Sequence, residues 1–200
     1  MSKRGKYIVF EGGDCSGKTT LIAELVCDLP APLKARRFPS DGDVGTVIRE
    51  ALMGKRSIEK KAFLYLFAAD GLQEEVAIER ELAEGYTVLC DRHPTMSGEV
   101  FQLEHHDWGE ISAVYTAARR DGLRLPDALF VIDVPAEVAL ERMRARDKYR
   151  DVVFERDDLK YVCSLRERYR SLAQRHGGHV LDGTKPTAEL VKDVRRLADL

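Results

Sequence analysis

Short apolar runs alternate with longer segments of helical spacing along the chain. The runs are typical of buried strands and cover residues 6 to 11, 33 to 38, 87 to 91, 128 to 134 and 179 to 183. This alternation predicts an α/β fold, a parallel sheet with helices on both faces. Ligands of such open sheets lie at the carboxyl ends of the strands. Polar motifs that directly follow the runs are therefore candidates for a binding site.

Three helices are predicted from apolar spacing. The longest runs from about Ile58 to Glu84, where an apolar residue recurs every four positions, at Leu64, Ala68, Leu72 and Val76. A later helix has apolar residues every three to four positions from Leu159 to Leu172, and the last helix opens near Pro186, which suits a first turn. We expect the longest helix to pack closely on the sheet.

A glycine-rich loop joins the first strand to a segment of helical spacing. From Gly12 its sequence follows the pattern G-x-x-x-x-G-K-T, which in this strand-loop-helix context predicts a phosphate-binding P-loop. The glycines let backbone N–H groups point inward, and the helix N-terminus adds partial positive charge. We expect Lys18 to contact the β- and γ-phosphates of a nucleotide and Thr19 to bind Mg²⁺. The other nucleotide-binding positions are Gly13, Ser16, Gly17 and Thr20.

Length and charge limit the classes of protein that the chain can represent. Its 200 residues predict one domain over 1–200. With 32 Lys and Arg against 34 Asp and Glu, the net charge of −2 gives no overall basic field for nucleic acid or a membrane surface. The four cysteines lack C-x-x-C spacing and the N-terminus lacks a signal peptide, so a cytoplasmic protein is expected. No apolar run approaches the roughly 20 residues of a membrane span.

Two further motifs follow strands. Asp91 and Arg92 follow the third strand, and Arg37 follows the second. Alone, the first motif also fits a solvated ion pair, though less well, and the second fits a surface turn equally well. Beside a P-loop, Asp91 is a candidate to support Mg²⁺, and the two guanidinium groups are candidates to bind a second phosphate.

A basic run and an aromatic residue each allow two interpretations. The run contains Arg142, Arg144, Arg146, Lys148 and Arg150. It is either a solvated helix face or a mobile lid, around 142–154, that brings cations to the transferred phosphoryl group. Phe67 on the long helix is either a core residue or a ring that stacks on a base.

The order of these motifs resembles that of the thymidylate kinase family over nearly the whole chain. The matching segments are FEGGDCSGKTT, RFP, LFAAD, DRH and GTKP. The resemblance implies a P-loop NTPase fold with a five-stranded parallel sheet of order 2-3-1-4-5. It also implies ATP as phosphoryl donor, Mg²⁺, a nucleoside monophosphate as acceptor, and a homodimer.

The resemblance also assigns roles on the acceptor side. It places the Asp14 carboxylate near the 3′-hydroxyl of the acceptor, and Arg37 and Arg92 on the acceptor phosphate. Phe67 stacks on the acceptor base, and Phe38 belongs to the same site.

On the donor side, the resemblance implies that Arg142 lies against the adenine. It also implies that the segment containing Lys185 covers the other side of that ring. The family takes its transition-state arginine from the P-loop or from the lid. Because Cys15 holds the P-loop position here, the lid must supply it, with Arg146 and Arg150 as candidates.

The chain departs from the family pattern at the base-recognition site. Gly71 stands where the family typically has an arginine that hydrogen-bonds thymine. The segment after Arg92 is one residue longer than usual, so Ser97 and Gln102 align loosely with residues that read the base edge. Loss of a hydrogen bond to the base would weaken discrimination between bases.

Three hypotheses follow. The leading one is ATP-dependent phosphorylation of a pyrimidine deoxynucleoside monophosphate, dTMP or a close analogue. The alternative is a kinase for a nucleoside or for a monophosphate with a modified or different base, which Gly71 and the longer segment after Arg92 motivate. The DRHP segment also resembles herpesvirus thymidine kinases, which act on nucleosides. Arg37 argues for an acceptor that already carries phosphate. A non-catalytic nucleotide switch is the third, although a switch needs no second phosphate site.

Overall fold

The computed structural model describes residues 4–28, 32–145 and 158–200. Within them the chain forms a parallel sheet of five strands in the order β2-β3-β1-β4-β5. The strands are β1 (Tyr7–Glu11), β2 (Leu33–Arg37), β3 (Thr87–Asp91), β4 (Ala128–Asp133) and β5 (His179–Asp182). The predicted α/β sheet and its strand order are confirmed, and each predicted strand differs from the observed one by at most one residue at an end.

Helices connect successive strands and cover both faces of the sheet. They are α1 (Lys18–Asp28), α2 (Asp43–Leu52), α3 (Phe63–Ala83), α4 (Pro94–Gln102), α5 (Trp108–Arg120), α6 (Ala136–Ala145), α7 (Leu159–Arg175) and α8 (Thr187–Ala198). Within the described residues, no helix combines the length and the apolar character needed to cross a bilayer.

The core divides into two main layers because successive strand side chains point to opposite faces. On one face, Ile8 and Phe10 of β1 pack with residues of α1 and α8 such as Leu25 and Val194. On the other face, Val9 packs with apolar residues of α3, α4, α6 and α7. The sheet is thus buried between helices, and the carboxyl ends of β1, β3 and β2 meet at one edge.

The long helix differs from its predicted form in where it begins and in how far its apolar stripe extends. α3 begins at Phe63, after a short 3₁₀ turn over Lys60–Ala62, rather than near Ile58. Val76 is 79% exposed, so the predicted apolar stripe does not extend to it. A four-residue repeat advances about 40° per step around a helix of 3.6 residues per turn, and three steps carry Val76 off the face that holds Leu64.

Two other predictions concern the C-terminal half. Pro186 lies at the N-cap of α8 instead of in its first turn. Of the predicted lid over 142–154, the described residues include only 142–145, the last turn of α6. Arg146 and Arg150 lie outside the described residues.

Candidate active site

The P-loop folds around the ammonium group of Lys18. Gly12 has φ +142° and Gly17 has φ +102°, backbone conformations that side-chain-bearing residues rarely adopt. Lys18 begins α1, and its Nζ donates to the carbonyl oxygens of Gly12 and Gly13, each at 2.9 Å. Burial lowers the pKa of Lys18, and the nearby Arg92 charge acts in the same direction. The ammonium thus lies inside the loop, at the predicted phosphate position.

Two oxygen ligands meet beside the loop. Thr19 Oγ1, on α1, donates to Asp91 Oδ2, at the end of β3, over 2.6 Å. Hydroxyl and carboxylate oxygens suit Mg²⁺, which proteins bind through one or two such groups together with substrate phosphates and water. In the described part of the chain, no group of three or more His, Cys, Asp or Glu side chains is placed to hold a metal. The two predicted metal residues therefore fit an ion that is shared with a nucleotide.

Arg92 lies between the P-loop and α7. Its Nη2 donates to Asp14 Oδ1 at 2.7 Å, and its Nη1 donates to the Tyr169 hydroxyl at 2.6 Å and to the Gly12 carbonyl at 3.3 Å. The guanidinium lies 5.5 Å from the centre of the Phe101 ring. The structure thus brings together Asp14 and Arg92, two residues predicted from separate motifs.

The backbone of Arg92 is strained. Its φ of +75° lies in the left-handed region, which costs a residue with a long side chain about 1–3 kcal/mol and persists only where the surroundings enforce it. The Arg92 N–H donates to the Phe10 carbonyl at 2.9 Å, which continues the pairing of β3 with β1. Such strain is concentrated at functional sites.

The buried carboxylate of Glu11 accepts hydrogen bonds from the residues that follow Arg92. Its carboxylate is fully buried and accepts from the His93 N–H at 2.8 Å and from the Ser97 hydroxyl at 2.8 and 2.9 Å. Arg92 Nη1 lies 3.8 Å from Glu11 Oε2. Burial raises the pKa of Glu11, while Arg92 and these hydrogen bonds oppose the shift. Ser97, predicted to bind the acceptor, therefore contacts Glu11 in the structure.

Arg37 and Phe38 lie at the end of β2, next to β3. Arg37 pairs with Asp91 in the strand register, and its Nη2 donates to Asp41 Oδ1 at 2.6 Å. The Arg37 side chain is 60% exposed, so it lies at the rim of the site. Phe38 is buried, and its N–H donates to the Asp91 carbonyl at 3.0 Å.

The loop after β5 forms one side of the cleft around the P-loop. Arg142 on α6 bridges two loops, since it donates to the carbonyl oxygens of Cys15 and Gly183, each at 3.3 Å. Lys185 follows Gly183 and pairs with Asp193 at 3.5 Å. Together with the P-loop these residues line a cleft of about 550 Å³, a size that accommodates a nucleotide. Thr20, Asp91 and Arg92 also line it.

Phe67 is buried beside α4. It is 5% exposed and packs against Phe63, with the ring centroids 5.9 Å apart. Gln102, at the end of α4, is fully buried. Both residues lie in one region of the molecule, but a stacking role for Phe67 stays a prediction.

The two departures at the base-recognition site contact one another. Gly71 is buried in α3, and a Cβ at this position would lie 2.6 Å from Pro94 Cγ and 2.8 Å from Leu123 Cδ1. Pro94 belongs to the longer segment that follows Arg92. This segment therefore occupies the space that a side chain at position 71 would need.

Sequence reasoning missed Glu11 and Tyr169. Glu11 had a usable signal, since a carboxylate at the end of an apolar strand must find partners when it is buried. Tyr169 has no such sequence signal, because its position in α7 follows the apolar spacing of a core residue. His106, just before α5, is buried, with hydrogen bonds to Glu110 and the Lys61 carbonyl.

The fold and this cleft define a P-loop phosphotransferase, with a glycine-rich loop around Lys18, the hydrogen-bonded oxygens of Thr19 and Asp91 next to it, and an arginine beside them. A family model described as thymidylate kinase matches residues 10–194. The chain belongs to the thymidylate kinase family and is a nucleoside monophosphate kinase. Membership implies that it uses ATP together with a metal ion.

Several curated relatives match nearly the full length of the chain. A probable thymidylate kinase of Methanocaldococcus jannaschii is 33% identical over 92% of this chain and 90% of its own length. A probable thymidylate kinase of Pyrobaculum calidifontis is 29% identical over 94% and 93%. A thymidylate kinase of Sulfurihydrogenibium sp. is 30% identical over 94% of each chain.

Proposed function

We propose that this chain transfers the γ-phosphoryl group of Mg·ATP to dTMP, giving dTDP and ADP. The observation that carries the proposal is the position of Arg92, which donates to Asp14 in the P-loop at 2.7 Å and follows the metal candidate Asp91 directly in the chain. A cation at this junction suits a second phosphate next to the γ-phosphate. The names of the family model and of the relatives support dTMP as the acceptor.

The donor binds in the cleft around the P-loop. Backbone N–H groups of the loop and Lys18 hold the β- and γ-phosphates, and Arg142 with the segment around Lys185 encloses the adenine. Thr19 and Asp91 hold Mg²⁺ through their oxygens, which are hydrogen-bonded to each other. When bound, the ion neutralises charge that develops on the phosphate oxygens.

The acceptor binds on the other side of Arg92. Arg92 and Arg37 hold its phosphate, Asp14 lies near its 3′-hydroxyl, and its base stacks on Phe67. When the acceptor binds, Arg37, which is exposed at the rim, leaves Asp41 and contacts the acceptor phosphate.

The chemistry requires mainly positioning and charge stabilisation. An acceptor phosphate oxygen attacks the γ-phosphorus, the bond from that phosphorus to the bridging oxygen breaks, and ADP leaves. The attacking oxygen is already anionic, so no strong general base is needed. A lid arginine, Arg146 or Arg150, supplies further positive charge in the transition state.

Activity on a panel of acceptors tests the proposal. ADP release is measured with dTMP, dUMP, 5-hydroxymethyl-dUMP, dCMP, dGMP and thymidine, together with an acceptor-free control. We expect selective turnover of dTMP. Preferential turnover of another monophosphate, turnover of thymidine alone, or release that needs no acceptor would each contradict it.

We further propose a homodimer in the cytoplasm. The homodimer is supported by the family resemblance and by exposed apolar side chains on α3, where Tyr65 is 61% and Val76 79% exposed. The cytoplasmic assignment is supported by Cys27, Cys90 and Cys163, which are not in disulfide bonds.

A further inference from the structure

The Tyr169 hydroxyl on α7 is a buried hydrogen-bond acceptor for the guanidinium group of Arg92. Arg92 Nη1 lies 2.6 Å from the hydroxyl oxygen, and Tyr169 is 2% exposed. Burial raises the pKa of this hydroxyl, so the group is neutral at physiological pH. A hydrogen bond that involves a charged group is stronger than one between neutral groups. The contact therefore restricts how the guanidinium can turn.

This hydrogen bond leaves one edge of the guanidinium for a ligand. Nη1 has two N–H groups, which donate to the Tyr169 hydroxyl and to the Gly12 carbonyl. Nη2 donates one N–H to Asp14. The hydrogen bonds of Arg92 with the described residues thus leave the Nε N–H and one Nη2 N–H. Nε and Nη2 form one edge of the planar group, and such an edge binds two phosphate oxygens with parallel hydrogen bonds.

Tyr169 is itself held in place by the packing of α7. Three residues earlier, Arg166 donates to both carboxylate oxygens of Asp133 at the end of β4, at 2.6 and 2.7 Å. Residues three apart lie on the same side of a helix. The Phe101 ring meets the Tyr169 ring edge-on, with centroids 6.4 Å apart and an angle of 87° between the planes. The hydroxyl thus has a fixed position relative to the sheet.

We propose that Tyr169 is a positioning residue, which holds Nη1 of Arg92 so that the Nε–Nη2 edge faces the acceptor phosphate. This assignment rests on the proposed function. Tyr169 acts through Arg92 and contacts neither the nucleoside part of the acceptor nor ATP. Without the hydroxyl, Arg92 keeps its charge but loses the contact that orients the fork. Binding of the acceptor phosphate is therefore the property that depends on Tyr169.

The test compares Tyr169→Phe, which keeps the aromatic ring, with the wild type. Calorimetry measures the Kd of dTMP and of thymidine, which has the same nucleoside but no phosphate. We expect the Kd of dTMP to rise roughly five- to tenfold, as the loss of one charged hydrogen bond predicts, while the Kd of thymidine stays unchanged. In steady-state kinetics kcat should fall, and the KM for ATP should not change.

Two further variants separate positioning from general packing. Tyr7 is 1% exposed and belongs to the same apolar cluster as Tyr169, but it lies at the amino end of β1. Tyr7→Phe should therefore change neither Kd, whatever its effect on Tm. In an Arg92→Ala background, Tyr169→Phe should weaken dTMP binding no further, because the group that it positions is absent.

The outcomes distinguish this role from the proposed function. Unchanged dTMP binding by Tyr169→Phe, an equal loss for thymidine, or a full further loss in the Arg92→Ala background would overturn the role of Tyr169. A wild type that binds another monophosphate in place of dTMP would refute the proposed acceptor alone, and the same comparison with that monophosphate and its nucleoside then decides the role of Tyr169. A wild type that binds no monophosphate would overturn both.

Discussion

At the scale of single residues, Arg92 connects the features of the site. Its side chain contacts the P-loop, α7 and the face of Phe101, and its backbone is held at φ +75° between β3 and α4. A strained backbone and three hydrogen bonds from the guanidinium fix the position of the charge before substrate arrives. Preorganised charge of this kind stabilises a transition state without reorganisation during the reaction.

Replacement of Arg92 should separate acceptor binding from donor binding. We expect Arg92→Ala to raise the KM for dTMP and to lower kcat, reducing kcat/KM roughly 10- to 100-fold, as the loss of charged hydrogen bonds predicts. The KM for ATP should change little. Steady-state kinetics with each substrate varied in turn provides the measurement.

Arg92→Lys is the matched control for that substitution. It keeps a positive charge near Glu11, which is fully buried, but removes the planar fork that binds a phosphate with two hydrogen bonds. Its Tm should stay closer to the wild-type value than that of Arg92→Ala. Equal losses of ATP and dTMP affinity in both variants would contradict the placement of Arg92 on the acceptor side.

The residues of the site differ in how far the sequence predicts them. Lys18, Thr19, Asp91 and Arg92 are predictable because each stands at a fixed distance from the end of a strand. Tyr169 is separated from Arg92 by 77 positions, and no local pattern distinguishes it from a core residue. Contacts that depend on how α7 packs against the sheet require the folded structure.

At the scale of elements, the contact between α3 and the start of α4 brings together the two departures from the family pattern. Gly71 allows Pro94 to approach α3 closely, and Leu123, just before β4, packs against the same point. The sequence shows Gly71 and the longer segment after Arg92, but it does not show that the two are in contact. The reason for a glycine inside this long helix is apparent only from the structure, in which Pro94 packs closely against it.

A substitution at position 71 tests this packing. Gly71→Ala should lower the free energy of unfolding by about 1–2 kcal/mol, because overpacking outweighs the helix propensity gained. In a Pro94→Ala background the loss should be smaller, since the closest atom has been removed. Urea unfolding of the single and double variants measures this coupling.

Gly109→Ala is the control for helix propensity. Gly109 is exposed in the first turn of α5, and its Cβ would approach only the Asp107 side chain, at 3.1 Å. We expect this variant to be neutral or slightly more stable. If Gly71→Ala behaves like Gly109→Ala, Pro94 does not restrict position 71.

At the scale of the whole molecule, the strand order assembles the site. Because β1 lies between β3 and β4, the P-loop at the end of β1 is next to Asp91 and Arg92 at the end of β3. β2 adds Arg37 beyond β3. Three segments that are distant in sequence thus meet at one edge, as expected for the carboxyl ends of parallel strands.

Transfer of labelled phosphate tests the central claim most directly. The enzyme is incubated with dTMP and with ATP that carries a radioactive γ-phosphorus, and the products are separated and identified. The account predicts that the label appears in the β-phosphate of dTDP and that its formation depends on both dTMP and Mg²⁺. Label found only in inorganic phosphate, with no labelled dTDP, would contradict it.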